Sequence, residues 1–89
     1  MSPNRLRVHW TDRALEDLDR EATAKQAERV VVEMERMAGW GWSTGRRAPA
    51  YGHNAQYRSV RPLGVIYEVI GGELYVLRVL HGRRLRDLP

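Results

Sequence analysis

The fold is decided by residues 55–81, which read AQYRSVRPLGVIYEVIGGELYVLRVLH. Three runs rich in β-branched, aromatic and other apolar residues are separated here by short breaks, and each run predicts a β-strand. The predicted strands are residues 55–61, 65–70 and 74–81. Gly71 and Gly72 stand between the last two runs, which is typical of a tight β-hairpin. This stretch therefore predicts the greater part of a mainly antiparallel sheet.

The third predicted strand is apolar on both faces, which indicates a strand in the interior of its sheet. Arg78 interrupts it and, by strand alternation, should share a face with Leu74, Val76 and Leu80. A buried arginine must either be paired or belong to a site. Glu68, on the neighbouring predicted strand, is a plausible structural partner, so pairing and function both stay open for Arg78.

The first 22 residues predict a strand followed by a helix. Residues 6–10 alternate between apolar and polar side chains, as a half-buried strand does, and Thr11 is placed to cap the helix that follows. The apolar stripe of this helix is predicted to face the sheet and comprises Ala14, Leu15, Leu18 and Ala22. Its other faces are acidic, and Asp17 is counted among the acidic residues there.

A second helix begins at Thr23-Ala24-Lys25-Gln26, which fits a capping box, and Gly39 is expected to stop it. Its apolar residues recur at helical spacing: Ala27, Val30, Val31, Met34, Met37 and Ala38. The two helices are nearly contiguous and should form a hairpin against the sheet. The predicted fold is therefore α+β, in the order β-α-α-β-β-β, as a single domain spanning residues 1–89.

Charge is unevenly distributed along the 89 residues. Residues 1–45 carry seven Lys or Arg and eight Asp or Glu, whereas residues 46–89 carry eight Arg and three acidic residues. The second half is therefore expected to face a negatively charged partner.

The absence of cysteine excludes disulfides, thiolate catalysis and zinc-finger sites. No membrane-spanning run or signal-peptide core is apparent, so a cytoplasmic protein without a membrane partner is expected.

Residues 39–54, GWGWSTGRRAPAYGHN, predict a long loop. A loop of this length in a small domain is usually functional or mobile. Trp40 and Trp42 would point to the same side of an extended chain. There they would either cap the core or form an exposed anchor for a protein partner, and both interpretations stay open.

Four stretches, in order along the chain, resemble the RelE/ParE family of toxins. VHWTDRALEDLDRE resembles the strand-then-helix start of that family, QYRSV and VIYEV its second and third strands, and LYVLRVLHGRRLRDL its last strand and tail. The resemblance covers nearly the whole chain. It implies a helical hairpin packed on a curved, mainly antiparallel four-stranded sheet. It also implies a cognate antitoxin whose C-terminal segment wraps the toxin, and contact with operator DNA only through that antitoxin.

The family divides by mechanism: RelE-like members cut mRNA on the ribosome, and ParE-like members poison DNA gyrase. Arg58 matches the family's second-strand arginine, and Arg83 or Arg84 its terminal one. Gly64 stands where RelE-like nucleases resemble one another in having arginine, and no tyrosine lies near the C-terminus. The resemblance therefore favours the ParE-like branch, a binding poison and no enzyme. A ribosome-dependent endoribonuclease, and a degenerate non-toxic nucleic-acid-binding module, are the alternatives.

A metal-free ribonuclease needs a base, cationic groups for the phosphorane and an acid. If the chain is RelE-like, its catalytic candidates are Arg58, His81, Arg83 and Arg84. Histidine is the side chain whose charge ordinarily changes near neutral pH, but the more ordinary interpretation is that His81 merely ends its strand and bonds a backbone carbonyl. No cofactor is expected, and the three histidines lack the spacing of metal ligands.

A basic surface is the other candidate site. Tyrosine on a basic sheet can stack on bases, although core or cross-strand packing is the more common role for a residue such as Tyr57. Arginines can bind phosphates or an acidic antitoxin segment, and a solvated charge run is the alternative. The residues predicted to bind the target or the antitoxin are Trp42, Arg46, Arg47, Tyr57, Arg58, Arg78, Arg83, Arg84 and Arg86.

Overall fold

The computed structural model describes residues 5–40 and 45–82. Two helices and five strands occur in this part of the chain, together with one short 3₁₀ helix at Pro49–Tyr51. The helices are α1 (Asp12–Glu21) and α2 (Ala24–Trp40). The strands are β1 (Arg7–Trp10), β2 (Arg46–Arg47), β3 (Ala55–Val60), β4 (Leu63–Ile70) and β5 (Glu73–His81). The α+β class and the order of the larger elements are as the sequence predicts.

The strands form one open sheet in the order β1-β5-β4-β3-β2. β3, β4 and β5 form an antiparallel meander, and β1 pairs with β5 in parallel. Gly71 and Gly72 make the turn from β4 to β5 with φ of 58° and 79°, the left-handed conformations that a type I′ hairpin turn requires. β5 therefore lies between two neighbours, as its apolar character on both faces predicts.

The sheet has five strands where four were predicted. The additional strand, β2, consists of two arginines paired with Tyr57 and Gln56 of β3. Because β2 is so short and charged, neither alternation nor β-propensity reveals it. Residues 39–54 are consequently not one long loop: α2 extends through Gly39 to Trp40, and β2 and the 3₁₀ helix occupy much of the remainder that the structure describes.

The predicted helix starts are confirmed. The backbone N–H of Ala14 donates to Thr11 Oγ1 over 3.1 Å, which caps α1. Thr23 and Gln26 form a reciprocal capping box, with each backbone N–H donating to the other side chain at 3.0 and 3.2 Å. The predicted inner stripe of α1 is wrong in one detail: Leu15 is 50% exposed. The acidic residue Asp17, predicted outside, is buried instead.

The sheet has a core on each side. The larger core lies between the sheet and the helices, on what we call the helix face, and includes Val30, Met34 and Met37 of α2. The smaller core lies on the opposite surface, the far face. Its members are Ala48, Ala55, Ile66 and Leu80, with Tyr51, Tyr57 and Leu77 packed against them. The segment from Ala48 to the 3₁₀ helix thus covers part of the sheet surface that the helices leave open.

A β-bulge in β5 changes which residues share a face. Tyr67 pairs with Val76 and Ile66 pairs with Arg78, so Leu77 has no direct partner on β4. A bulge of this kind shifts the alternation of side chains by one position. Leu74 and Val76 accordingly belong to the helix-face core, whereas Leu80 belongs to the far-face core. The prediction that these three residues share one face with Arg78 is therefore wrong.

Candidate functional site

Arg78 is held by α1 and not by Glu68, its predicted partner. Its Nε donates to Asp17 Oδ2 over 2.7 Å, and its Nη2 donates to Asp17 Oδ1 over 3.2 Å. This two-point contact is the geometry in which a guanidinium binds a carboxylate most strongly. The Asp17 side chain is 4% exposed and that of Arg78 is 25% exposed. The arginine that interrupts the apolar strand is therefore paired.

The burial of Asp17 follows from the shortness of β1. β1 pairs with β5 only as far as Trp10 and Val76, so the backbone of β5 beyond Val76 lacks a strand neighbour on that side. Thr11 bonds the carbonyl of Val76 through its backbone N–H and its hydroxyl. Farther along, the backbone N–H of Val79 donates to Asp17 Oδ2 over 3.0 Å. Thr11, which caps α1, and Asp17, in the middle of α1, thus substitute for the missing strand.

Opposing effects set the pKa of the Asp17 carboxyl. Burial raises the pKa, since it disfavours the charged form. The hydrogen bonds from Arg78 and from the Val79 backbone, together with the Arg78 charge, outweigh burial and hold the pKa below its usual value. Reciprocally, the hydrogen bond to Asp17 raises the pKa of Arg78. Both groups therefore stay charged around neutral pH.

Arg58 lies on the helix face, where it is paired with α2. Its Nε donates to Glu33 Oε2 over 2.6 Å, and the two side chains are 27% and 19% exposed. Glu33 also lies 3.8 Å from Arg36 Nη1. A charged hydrogen bond of this kind holds a guanidinium in place, so the Arg58 side chain joins the sheet to α2 and is turned away from the far face.

Four residues on neighbouring strands form a transverse row on the far face. Arg46 is paired with Tyr57, Tyr57 with Ile66, and Ile66 with Arg78. Adjacent strands lie ~4.8 Å apart, so this far-face row spans roughly 14 Å from one arginine to the other. Ile66 is buried as a member of the far-face core, whereas Arg46 is exposed and Tyr57 is half-buried. The row places the Arg46 cation beside the Tyr57 ring, while the guanidinium of Arg78 at its other end is held by Asp17.

The catalytic candidates that the structure describes do not converge. Arg58 of β3 is opposite Val65 of β4, whereas His81 of β5 is opposite Leu63 of β4. From the strand spacing and rise, their Cα atoms lie roughly 12 Å apart. Nδ1 of His81 is buried, and among the described residues it has no hydrogen-bond partner. The backbone carbonyl expected to bond this histidine is therefore not found at Nδ1.

Several predicted site residues lie outside the described residues: Trp42, Arg83, Arg84 and Arg86. Trp40 is the last residue of α2 and is 47% exposed, so the extended conformation assumed for the two tryptophans does not hold at Trp40.

Arg46 and Arg47 are adjacent on one strand and point to opposite sides of it. They do not form a single patch.

Sequence reasoning missed Asp17 and Glu33 as the partners of the two strand arginines. Both look like ordinary exposed acids on amphipathic helices, and only the three-dimensional packing brings them to β5 and β3. It also missed Tyr51, which packs on the far-face core.

Within residues 5–40 and 45–82, no three His, Asp or Glu side chains gather in a way that could hold a metal ion. No described helix is long and apolar enough to cross a membrane.

The arrangement of a helical hairpin against this open mixed sheet is the fold of RelE/ParE-type toxins. Among solved structures, the chromosomal ParDE toxin–antitoxin system from P. aeruginosa superposes with a TM-score of 0.69 at 20% identity, covering 88% of this chain and 97% of that one. The RelB–RelE antitoxin–toxin complex from Methanococcus jannaschii gives 0.67 at 19% identity, covering 89% and 95%. The YoeB dimer from Staphylococcus aureus gives 0.66 at 13% identity, covering 86% and 97%.

These similarities extend over almost the full length of both chains, so they concern the whole fold and not a shared fragment. At such low identity they establish the fold alone. No protein-family model matches the sequence, and no curated protein matches it significantly. ParE-type and RelE-type structures superpose about equally well, so the fold does not distinguish the two branches.

Proposed function

We propose that this chain is the toxin of a type II toxin–antitoxin pair, that it inhibits growth by poisoning DNA gyrase, and that a cognate antitoxin neutralises it. The observation that carries the toxin role is the full-length correspondence with toxins from ParDE and RelBE complexes. Fold alone does not determine function. The proposal therefore also depends on the distribution of charge along the chain and on the contacts that its arginines make.

The hydrogen bond between Arg58 and Glu33 supports the preference for gyrase poisoning over mRNA cleavage. In a RelE-like nuclease this arginine would stabilise the phosphorane, which requires a guanidinium free to approach the substrate. Here Arg58 Nε is bonded to Glu33 on the helix face. Gly64 replaces the arginine expected at the start of the third family strand. A protein that acts by binding needs neither group, so both observations favour a binding poison.

The far-face row is the proposed contact surface for the target. It presents Arg46 and Tyr57 on a sheet surface that the helices do not cover. Arginine and tyrosine are enriched among the residues that dominate protein interfaces. An antitoxin segment that covers the same row would neutralise the toxin by competition. Operator DNA would then be reached only through the antitoxin.

The first test is bacterial growth on induced expression, with and without the reading frame adjacent to this gene. The proposal expects growth arrest that the neighbouring protein relieves, accompanied by a DNA-damage response. Arrest with rapid loss of mRNA and no DNA damage would instead favour the ribosome-dependent nuclease. Absence of arrest from soluble, folded protein would contradict the toxin role and favour the non-toxic binding module.

The second test uses the purified protein in a gyrase supercoiling assay. Tyr57→Ala and Arg46→Gln should each weaken inhibition by about tenfold or more, the scale of a substantial interface residue. Arg29→Gln, an exposed change on α2, is the matched control and should inhibit like the wild type. Inhibition that both far-face variants retain in full would exclude the row as the contact surface.

A further inference from the structure

A cavity lies at a corner of the sheet, apart from the far-face row. It has a volume of about 420 Å³ and is lined by Arg47, His53, Asn54, Ala55, Gln56 and Val69. Arg47 is paired with Gln56 across β2 and β3, and Val69 borders the helix-face core. Arg47, Gln56 and Val69 therefore line the cavity from the side of the strands away from Arg46 and Tyr57. We call it the corner pocket.

The corner pocket is lined by cationic and neutral groups. Among the residues that the structure describes, Arg47 and His53 are its two titratable lining residues, and no Asp or Glu lines it. Neither residue forms an ion pair with any part of the chain that the structure describes. Glu68 is paired with Ala55, but Ala55 belongs to the far-face core, so alternation directs Glu68 to the far face as well. Within residues 5–40 and 45–82, Arg47 therefore has no counter-charge.

Four polar side chains reach the corner pocket from three structural elements. Arg47 comes from β2, His53 and Asn54 from the turn that precedes β3, and Gln56 from β3 itself. The hydroxyl of Tyr67 donates to Gln56 Oε1 over 3.5 Å, which restrains that amide from the core side. The set offers guanidinium, imidazole and amide donors, and all of these suit an oxyanion.

The backbone around the turn is tied down. Ala55 N–H donates to the carbonyl of Gly52 over 3.1 Å, and Ala48 N–H donates to the carbonyl of Ala55 over 2.8 Å. Gly52 has φ of 148°, a conformation that side chains other than glycine's rarely adopt. These restraints fix the positions from which His53 and Asn54 project. A site with a preorganised backbone loses less entropy on binding a ligand.

We propose that the corner pocket binds a phosphate group, carried either by a free nucleotide or by the backbone of a nucleic-acid strand. A planar carboxylate is satisfied by one guanidinium fork, whereas a phosphate presents oxygens in several directions and suits donors that arrive from three elements. The volume also falls within the usual range of small-molecule sites. This inference is independent of the proposed toxin function, because it concerns a different surface.

The test is an NMR titration of the full chain at constant ionic strength, which limits non-specific attraction of anions to a basic protein. The probes are inorganic phosphate, adenosine monophosphate, a short oligothymidylate and a tetraglutamate peptide. The proposal expects saturable shifts in the amides of residues 47 and 53–56 with at least one phosphate probe. Stronger binding of the monophosphate would identify a free nucleotide as the source, and stronger binding of the oligothymidylate would identify a strand.

Arg47→Gln should weaken phosphate binding by about tenfold, the scale of one charged hydrogen bond. Arg46→Gln is the matched control, since it removes the same charge from the adjacent residue on the opposite side of β2. The thermal unfolding midpoint of both variants verifies that each one folds. Equal losses in the two variants, or tetraglutamate binding as tightly as the phosphate probes, would overturn the proposal. So would the absence of localised shifts with every phosphate probe.

Discussion

Two arginine–carboxylate pairs join the helices to the sheet, and they differ in what the carboxylate holds. Asp17 of α1 binds Arg78 through two hydrogen bonds and also accepts the backbone N–H of Val79. Glu33 of α2 binds Arg58 through Nε and lies near a second arginine. Asp17 is almost fully buried, whereas Glu33 keeps about a fifth of its side chain exposed.

The difference teaches that similar pairs can have different structural roles. Glu33 tethers a side chain whose strand is already paired on both edges, by β4 and β2. Asp17 supplies the acceptor that a strand neighbour would otherwise provide to β5. Removal of Asp17 therefore leaves both a partly buried guanidinium and a backbone N–H without their acceptor. Within the part of the chain that the structure describes, loss of Glu33 affects only the guanidinium groups of Arg58 and Arg36, and no backbone group.

The largest effect is expected from Asp17→Ala. Removing one partner of a buried pair ordinarily costs about 3–5 kcal/mol, and here the Val79 N–H loses its acceptor too. The free energy of unfolding, measured by urea denaturation, should fall by about 3 kcal/mol or more. Asp19→Ala, an exposed change on the same helix, is the control and should change stability little. Equal effects of the two substitutions would contradict the role given to Asp17.

Acid should weaken the same pair without mutation. Because the pKa of Asp17 is lower in the folded protein than in the unfolded chain, its contribution to stability is fully present above about pH 4, near the pKa of an unperturbed Asp. That contribution is lost as the pH falls through the folded-state pKa. Urea denaturation between pH 6 and pH 2.5 should show a smaller loss of stability for Asp17→Ala than for the wild type. Parallel curves would exclude the linkage.

A smaller coupling is expected between Glu33 and Arg58. In a double-mutant cycle of Glu33→Gln and Arg58→Gln, the interaction free energy should be about 1 kcal/mol, as for a partly buried charged hydrogen bond. The cycle also distinguishes structure from catalysis. If Arg58 only ties the sheet to α2, both single variants should reduce toxicity no more than they reduce the amount of folded protein. Selective loss of toxicity in Arg58→Gln would assign it a direct role at the target.

The smallest effect is expected from Arg36→Gln. Arg36 Nη1 lies 3.8 Å from Glu33 Oε1, and the Arg36 side chain is 61% exposed. Ion pairs of this kind on a helix surface contribute about 0.3–0.5 kcal/mol at most and are screened by salt. A change in unfolding free energy above about 1 kcal/mol would show that Glu33 depends on both of its arginines.

Local patterns were enough to predict the main elements of the fold. Helical periodicity identified α2, the capping residues identified both helix starts, and the Gly71-Gly72 pair identified the β4–β5 hairpin. Two features escaped because they depend on pairing between strands. The bulge at Leu77 cannot be recognised from the composition of β5. It nevertheless places Leu80 on the opposite face of the sheet from Leu74. β2 is a strand only because it pairs with the edge of β3.

The site was predicted less completely than the fold. Arg78 and Arg58 stood out because a charge in an apolar strand needs an explanation, but their partners come from helices distant in the sequence. Asp17 and Arg78 are 61 residues apart, and Glu33 and Arg58 are 25 apart. No local rule connects such positions. The separation of Arg46 from Arg47 onto opposite sides follows from alternation, but only once a strand is known to be there.

The dependence of β5 on α1 also bears on how the chain is made. The contacts of Thr11 with Val76 and of Asp17 with Val79 span 65 and 62 residues, and such long loops close slowly compared with local contacts. During synthesis, α1 emerges from the ribosome well before the strand that its side chains complete. The nascent protein therefore passes through a stage in which Asp17 is hydrated and the far-face row is incomplete. Assembly of that surface therefore has to follow the synthesis of β5.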